Sequence, residues 1–179
     1  MGGLYTLEQI ITTRDDVPMT VDLSPTSLVA FGTALVILSI FSILDIRDRM
    51  VANHLVLIGG TIGFAITALT GHLVENSLLH VAAFLFVIIL AYALFRIGAI
   101  GGADLKTLVI VSIISPGIEL ALWSDPALEA IIGSGLTMLI MLILGYVYSN
   151  WSMKTSERGT PLIPFLSVAY VLIQLLALL

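Results

Sequence analysis

Six runs of strongly apolar residues, each about the length a helix needs to cross a bilayer, divide this chain of 179 residues. They extend roughly from Leu28 to Leu44, His54 to Thr70, Leu78 to Phe95, Leu105 to Trp123, Ala127 to Tyr148 and Leu162 to Leu179, with short polar breaks between them. In lipid every backbone N–H and C=O has to find a partner within the protein, and runs of this length meet that demand as helices. The pattern predicts an all-α, polytopic membrane protein with six transmembrane helices in one domain over residues 27–179. Apolar residues make up 59% and charged residues 11%, against roughly a quarter charged in an average soluble domain, too few to cover a water-facing surface.

Residues 1–26 form the remaining substantial segment, with Pro18, Pro25 and the acidic residues Asp15, Asp16 and Asp22. Leu4, Leu7, Ile10 and Ile11 have helical spacing, so a short interfacial helix is expected in an extracytoplasmic tail. The tail does not read as a secretory signal peptide, because no basic start and apolar core precede a small-residue cleavage site. There is no internal repeat.

Basic residues set the expected orientation, because short cytoplasmic loops retain Lys and Arg. Arg47 and Arg49 follow the first run, Arg96 and Lys106 flank the gap before the fourth, and Lys154 and Arg158 lie between the fifth and sixth. Six of the seven basic residues therefore share one side, while Glu75, Glu119, Asp125 and Glu129 fall in loops on the other, with Arg14 in the tail. Both chain ends are expected outside and three loops in the cytoplasm of a multi-pass cell-membrane protein. The net charge of −5 argues against a nucleic-acid partner. With no cysteine there is no disulfide, no thiol nucleophile and no Cys-based zinc site.

Two carboxylates stand at the edges of this framework. Asp45 closes the first run, and Asp104 opens the fourth directly after Gly101-Gly102-Ala103. An acidic group at a span is expensive, so its default reading is functional. Two spans separate the pair, which places both on the cytoplasmic edge, and two aspartates are the minimum equipment of an aspartyl protease. Each segment also has a plainer reading. Asp45-Ile-Arg-Asp-Arg-Met-Val-Ala-Asn53 resembles the polar end of an inserted span, with Asn53 capping the next helix; Gly101 to Asp104 resembles a glycine hinge with Asp104 as an N-cap.

Together the segments resemble the type IV prepilin peptidase and preflagellin peptidase family of membrane aspartyl proteases. That family's first motif is Asp, six or seven loop residues, Pro-Asn and an apolar residue. Asp45 to Leu55 matches it, with Val51-Ala52-Asn53 in the place of Ile-Pro-Asn, and this alignment selects Asp45 over Asp48. The second motif is Gly-x-Gly-Asp, relaxed in archaeal members to Gly-x-hydrophobic-Asp with a lysine two residues on. Gly101-Gly102-Ala103-Asp104 followed by Lys106 is similar to the relaxed form, and Pro161-Leu-Ile-Pro164-Phe165-Leu166 is similar to the element that opens the family's last span. The six-span plan is that of the short archaeal members. Ala52 departs from the usual proline, and the chain lacks the cysteine-rich insert of many bacterial members and with it support for their N-methyltransferase activity.

The resemblance implies that Asp45 and Asp104 are the catalytic pair, with Gly101, Gly102, Ala103, Asn53 and Lys106 as motif residues or contacts to the substrate backbone. It implies as partner a prepilin or preflagellin precursor, whose short basic leader lies in the cytoplasm ahead of an apolar helix. No cofactor and no metal are expected. Asp48 or Glu157 would suit the leader's positive charge, although both also read as solvated loop charges.

Other chemistries lack their residues. His54, His72 and His80 do not form the His-Glu-x-x-His of a zinc protease, and Gly133-Ser134-Gly135 has no later histidine to serve a rhomboid-type serine. A presenilin-like protease would carry a Tyr-Asp pair where Leu44 precedes Asp45. A small transporter or a non-catalytic secretion component would use the two aspartates as a proton or ion relay, but such relays favour mid-membrane positions.

Overall fold

Ser24 starts the first helix for a local reason. Its hydroxyl accepts a hydrogen bond from the Ser27 backbone N–H at 3.3 Å, and Pro25 occupies the first helical turn, where a missing N–H costs little. Helix α1 then runs Pro25–Asp48 and ends at Arg49, whose left-handed backbone (φ 54°) turns the chain while its N–H still reaches the Asp45 carbonyl at 3.0 Å. The computed structural model describes residues 20–151 and 160–176. Within them follow α2 Asn53–Leu69, the single turn α3 His72–Glu75, α4 Ser77–Arg96, α5 Gly102–Ile114, α6 Pro126–Trp151 and α7 Ile163–Leu176. A two-stranded antiparallel ribbon joins β1 Thr20–Val21 to β2 Ala121–Leu122, with Thr20 opposite Leu122 and Val21 opposite Ala121. The expected helix over Leu4–Ile11 and the charges Arg14, Lys154, Glu157 and Arg158 lie outside the described residues.

Helices α1, α4 and α6 are long and apolar enough to cross a membrane; α2 and α7 are shorter apolar helices. The fourth apolar run departs from the expected single helix over Leu105–Trp123. Pro116 cannot donate a helical hydrogen bond and forces Ser115 into an extended conformation (φ −139°, ψ 85°), so α5 stops at Ile114. From Ser115 to Ala121 the chain is buried against the helices, and it then pairs with β1. Glu119, expected in an outer loop, is therefore an interior residue, only 4% exposed.

The six longer helices form a closed ring in which α1 packs on α7, α7 on α6, α6 on α4, α4 on α5, α5 on α2 and α2 on α1, with α5 also touching α1. Without a hydrophobic driving force between helices in lipid, such packing depends on close contact of small residues. Ala34, Ala83, Ala91, Ala130 and Ala169 are fully enclosed at these seams. Gly63 of α2 lies so near Ile114 of α5 and Ile37 of α1 that an added Cβ would displace them.

Helical phase and distance from the helix end together decide which acidic groups are enclosed. The buried stripe of α1 runs Ala30, Ala34, Ile37, Leu38, Phe41, Ser42, Asp45, at steps of three and four; Asp48, three residues on, is exposed. The buried stripe of α5 begins at Asp104 and continues through Thr107, Leu108, Val111 and Ser112.

Candidate active site

Asp45 and Asp104 come from the opposite ends of their helices, the last turn of α1 and the first turn of α5, and line one pocket of about 680 Å³. Asp48, Arg49, Met50, Val51, Gly101, Gly102, Ala103, Thr160 and Pro161 complete its wall. Both aspartates are buried, at 6% and 8% exposure, yet both line a cavity with room for water.

Each carboxylate is held by a backbone N–H. Asp104 occupies the third position of α5, not the N-cap; Gly101 is the cap, and its N–H donates to Asp104 Oδ2 at 2.8 Å. The carboxylate thus satisfies an N–H that no helical carbonyl can reach and sits where the helix dipole favours negative charge. A Cβ on Gly101 would approach Asp104 Oδ2 to 3.0 Å, so this position stays bare for contact reasons rather than for backbone conformation. Asp45 Oδ2 accepts from the Ile163 N–H at 3.3 Å, the first residue of α7, and Ser42 Oγ donates to the Ile163 carbonyl at 3.4 Å. The segment Pro161 to Leu166 is thereby joined to the site, a contact that sequence spacing gave no means to foresee.

Asp104 stands ahead of the apolar run that begins at Leu105. The Gly101 N–H favours its negative charge, and the negative charge of Asp45 in the same pocket opposes it. The two carboxyls therefore sense one another across the pocket.

Asn53 and Lys106 meet, but not in this pocket. Lys106 Nζ donates to Asn53 Oδ1 at 2.6 Å, and the two residues line a neighbouring apolar groove of about 710 Å³ between α2 and α5. The N-cap of α2 is Ala52, with Asn53 already inside the helix, so the expected Asn53 cap does not form. Ala52 has φ −63°, the angle a proline ring would impose, so the backbone here has a proline-compatible angle without the proline.

A second polar cluster occupies the other end of the bundle. His72 Nε2 donates to Glu119 Oε2 at 2.9 Å, Ser115 Oγ donates to Glu119 Oε1 at 2.9 Å, and the Tyr170 hydroxyl is 2.7 Å from Ser115 Oγ. His72 Nδ1 and His80 Nε2 share a hydrogen bond at 3.1 Å, Glu129 Oε1 accepts from the Ile118 N–H at 2.9 Å, and Gln174 Nε2 donates to the Gly117 carbonyl at 3.1 Å. Among the described residues no group of three or more His, Asp or Glu is arranged to hold a metal ion. The network ties down the irregular segment after Pro116, and it draws on residues scattered from 72 to 174, which no sequence motif links.

Comparison with curated proteins and with solved structures returns no match. A model of the type IV leader peptidase family matches residues 32–148, more than half of the chain and a stretch that contains both Asp45 and Asp104. Two inward carboxylates in the wall of one pocket, Gly101 against one of them, and this match converge on one assignment: the chain belongs to the type IV leader peptidase family, proteases that act on leader-bearing precursor proteins.

Proposed function

We propose that this protein is a six-span membrane aspartyl endopeptidase in which Asp45 and Asp104 form the catalytic pair, and that it removes the short basic leader of prepilin- or preflagellin-type precursors at the cytoplasmic face. The observation that carries the reading is the placement of these two carboxylates, from α1 and α5, in the wall of one pocket. In this reading helices α2, α5 and α7, with the segment beyond Pro116, supply the three further crossings, and the basic residues Arg47, Arg49, Arg96 and Lys106 support a cytoplasmic side for the pocket. Residues 27–179 constitute the membrane protease domain.

Peptide hydrolysis by two carboxylates needs one ionised and one protonated at the same pH. Two acids in one partly desolvated pocket cannot both ionise cheaply, so their titrations couple and one proton is shared. The ionised partner removes a proton from bound water, which attacks the scissile carbonyl; the protonated partner donates to the carbonyl oxygen. Chain drawn into the pocket has to be extended, because a helix hides its peptide bonds. The main-chain groups of Gly101 and Gly102, which border the pocket, are the partners we assign to that extended segment.

The test is cleavage of a prepilin-type precursor by the purified protein in detergent or nanodiscs. Asp45→Asn and Asp104→Asn should each lower kcat by more than about 100-fold, while Asp48→Asn keeps most activity. Full processing by either asparagine variant would falsify the assignment of the pair.

A further inference from the structure

Two of the motif residues, Asn53 and Lys106, take no part in the wall of the catalytic pocket; both line the neighbouring groove between α2 and α5. The rest of that groove is almost wholly apolar. Val56, Leu57 and Phe64 of α2 form its walls with Leu105, Val109 and Ile113 of α5, around a space of about 710 Å³. The two helices lie side by side in the same direction, since Gly60 stands against Ile110 and Gly63 against Ile114. From the Asn53–Lys106 end the lining therefore runs about 10 Å along α5 to Ile113 and about 16 Å along α2 to Phe64.

Charge is confined to that one end. Lys106 is the one ionisable residue among the described lining. Its Nζ donates to Asn53 Oδ1 at 2.6 Å, a neutral acceptor, and among the described residues it forms no ion pair. The side chain is exposed, and an ammonium carries three protons, so donors remain for an acceptor from outside the protein. A cation at the mouth of a groove whose remaining wall is hydrocarbon has the polarity of one molecule of the surrounding bilayer, an anionic phospholipid with its phosphate first and its acyl chain behind. Basic groups between spans at the cytoplasmic edge attract such headgroups by charge. A partner helix fits less well. Close helix contact in lipid favours seams of small residues, whereas this wall is mostly Val, Leu, Ile and Phe, with Gly60 and Thr61 the exceptions.

We propose that the α2–α5 groove is a binding site for an anionic phospholipid, whose phosphate is held by Lys106 beside Asn53 and whose acyl chain lies along Leu57, Val109 and Ile113. The inference rests on the membrane reading of the bundle and not on the protease assignment. It gives Asn53 and Lys106 a shared partner that the catalytic pocket does not offer them.

Lipid retention by the full-length protein tests the site. The purified protein in detergent is mixed with equal amounts of phosphatidylglycerol and phosphatidylcholine carrying the same acyl chains, and native mass spectrometry reads the ratio of the two bound. Matched chains cancel the apolar contribution and leave the headgroup. Wild type should prefer phosphatidylglycerol, and Lys106→Gln should lower that preference by about fivefold. Lys106→Arg keeps the cation and should keep the preference. Val109→Trp fills the groove without touching the charge and should lower the preference as Lys106→Gln does. Arg96→Gln removes a cation of the same membrane edge that does not line the groove, and should leave the ratio unchanged. Equal loss in Arg96→Gln would assign the preference to the general charge of that edge, and a preference that survives Val109→Trp would put the lipid elsewhere; either result overturns the proposal. A loss in Lys106→Arg as large as in Lys106→Gln overturns it too, because the charge would then be irrelevant. So does a raised KM for precursor in Val109→Trp with an unchanged lipid ratio, which would give the groove to the substrate's apolar helix. Asp45→Asn and Asp104→Asn should bind lipid as wild type does, so failure of the protease reading is a separate result.

Discussion

At the scale of single residues, the site depends on what stands next to each carboxylate. Gly101 and Gly102 are adjacent and chemically identical, yet their surroundings differ. A Cβ on Gly101 meets Asp104 Oδ2 at 3.0 Å, whereas one on Gly102 finds only Phe95 at 3.8 Å. Gly101→Ala should therefore push the Asp104 carboxyl aside and weaken its bond from the residue 101 N–H, lowering cleavage by about tenfold or more, while Gly102→Ala stays within about twofold. Steady-state kinetics on the two variants check this, and equal losses would mean that the glycines serve substrate access and not the aspartate. The sequence motif selects Asp45 over Asp48, and burial separates them in the same way: Asp45 is enclosed, whereas Asp48, in the same helical phase but one turn nearer the end of α1, is exposed. What the sequence did not disclose at this scale is the Ile163 N–H at Asp45, because that contact depends on how the chain enters α7.

At the scale of elements, apolar runs announce helices well and their ends poorly. Each of the six runs contains a helix, but the run from Leu105 to Trp123 has the composition of one long helix and the structure of a short one followed by a buried irregular segment. Hydropathy is blind to the difference, because Pro116 changes hydrogen bonding without changing polarity. The shortening of α5 has a packing counterpart. Ile114, its last residue, lies over Gly63 of α2 and is fully enclosed. Gly63→Leu would force these helices and α1 apart, and overpacking of this kind costs about 1–3 kcal/mol. The expected outcome is a lower thermal midpoint in detergent together with reduced cleavage, since α5 carries Asp104. A midpoint equal to wild type would show that α2 and α5 are held by contacts other than this seam.

At the scale of the whole molecule, two polar centres share one bundle, separated by roughly 16 Å along α5 from Asp104 to Ser115. One opens to a pocket; the other, around Glu119, is sealed and joins α3, α4, α7 and the segment after Pro116. Its members are far apart in the sequence, and each alone resembles a loop charge or an ordinary core histidine, so only assembly in space reveals it. Burial of His72 disfavours its charged form, but the hydrogen bond and charge of Glu119 outweigh burial, with smaller help from Glu75 and Asp22, and raise it above the usual value of 6.5. The sign of the linkage follows from that rise. A histidine that gains a partner on folding contributes stability in full below its unfolded value, and the contribution fades as pH climbs through the folded one. Glu119→Gln keeps the side-chain shape and removes the charge, so it should lower the thermal midpoint by roughly 5–10 °C near pH 6. The gap from wild type should narrow as pH climbs through the raised folded-state value of His72, where the imidazole loses its charge and the ion pair no longer distinguishes the two proteins. Unfolding scans of the two proteins between pH 5.5 and 9 read this directly. A gap that stays constant across the range would mean that a neutral hydrogen bond, not an ion pair, closes the sealed end of the bundle.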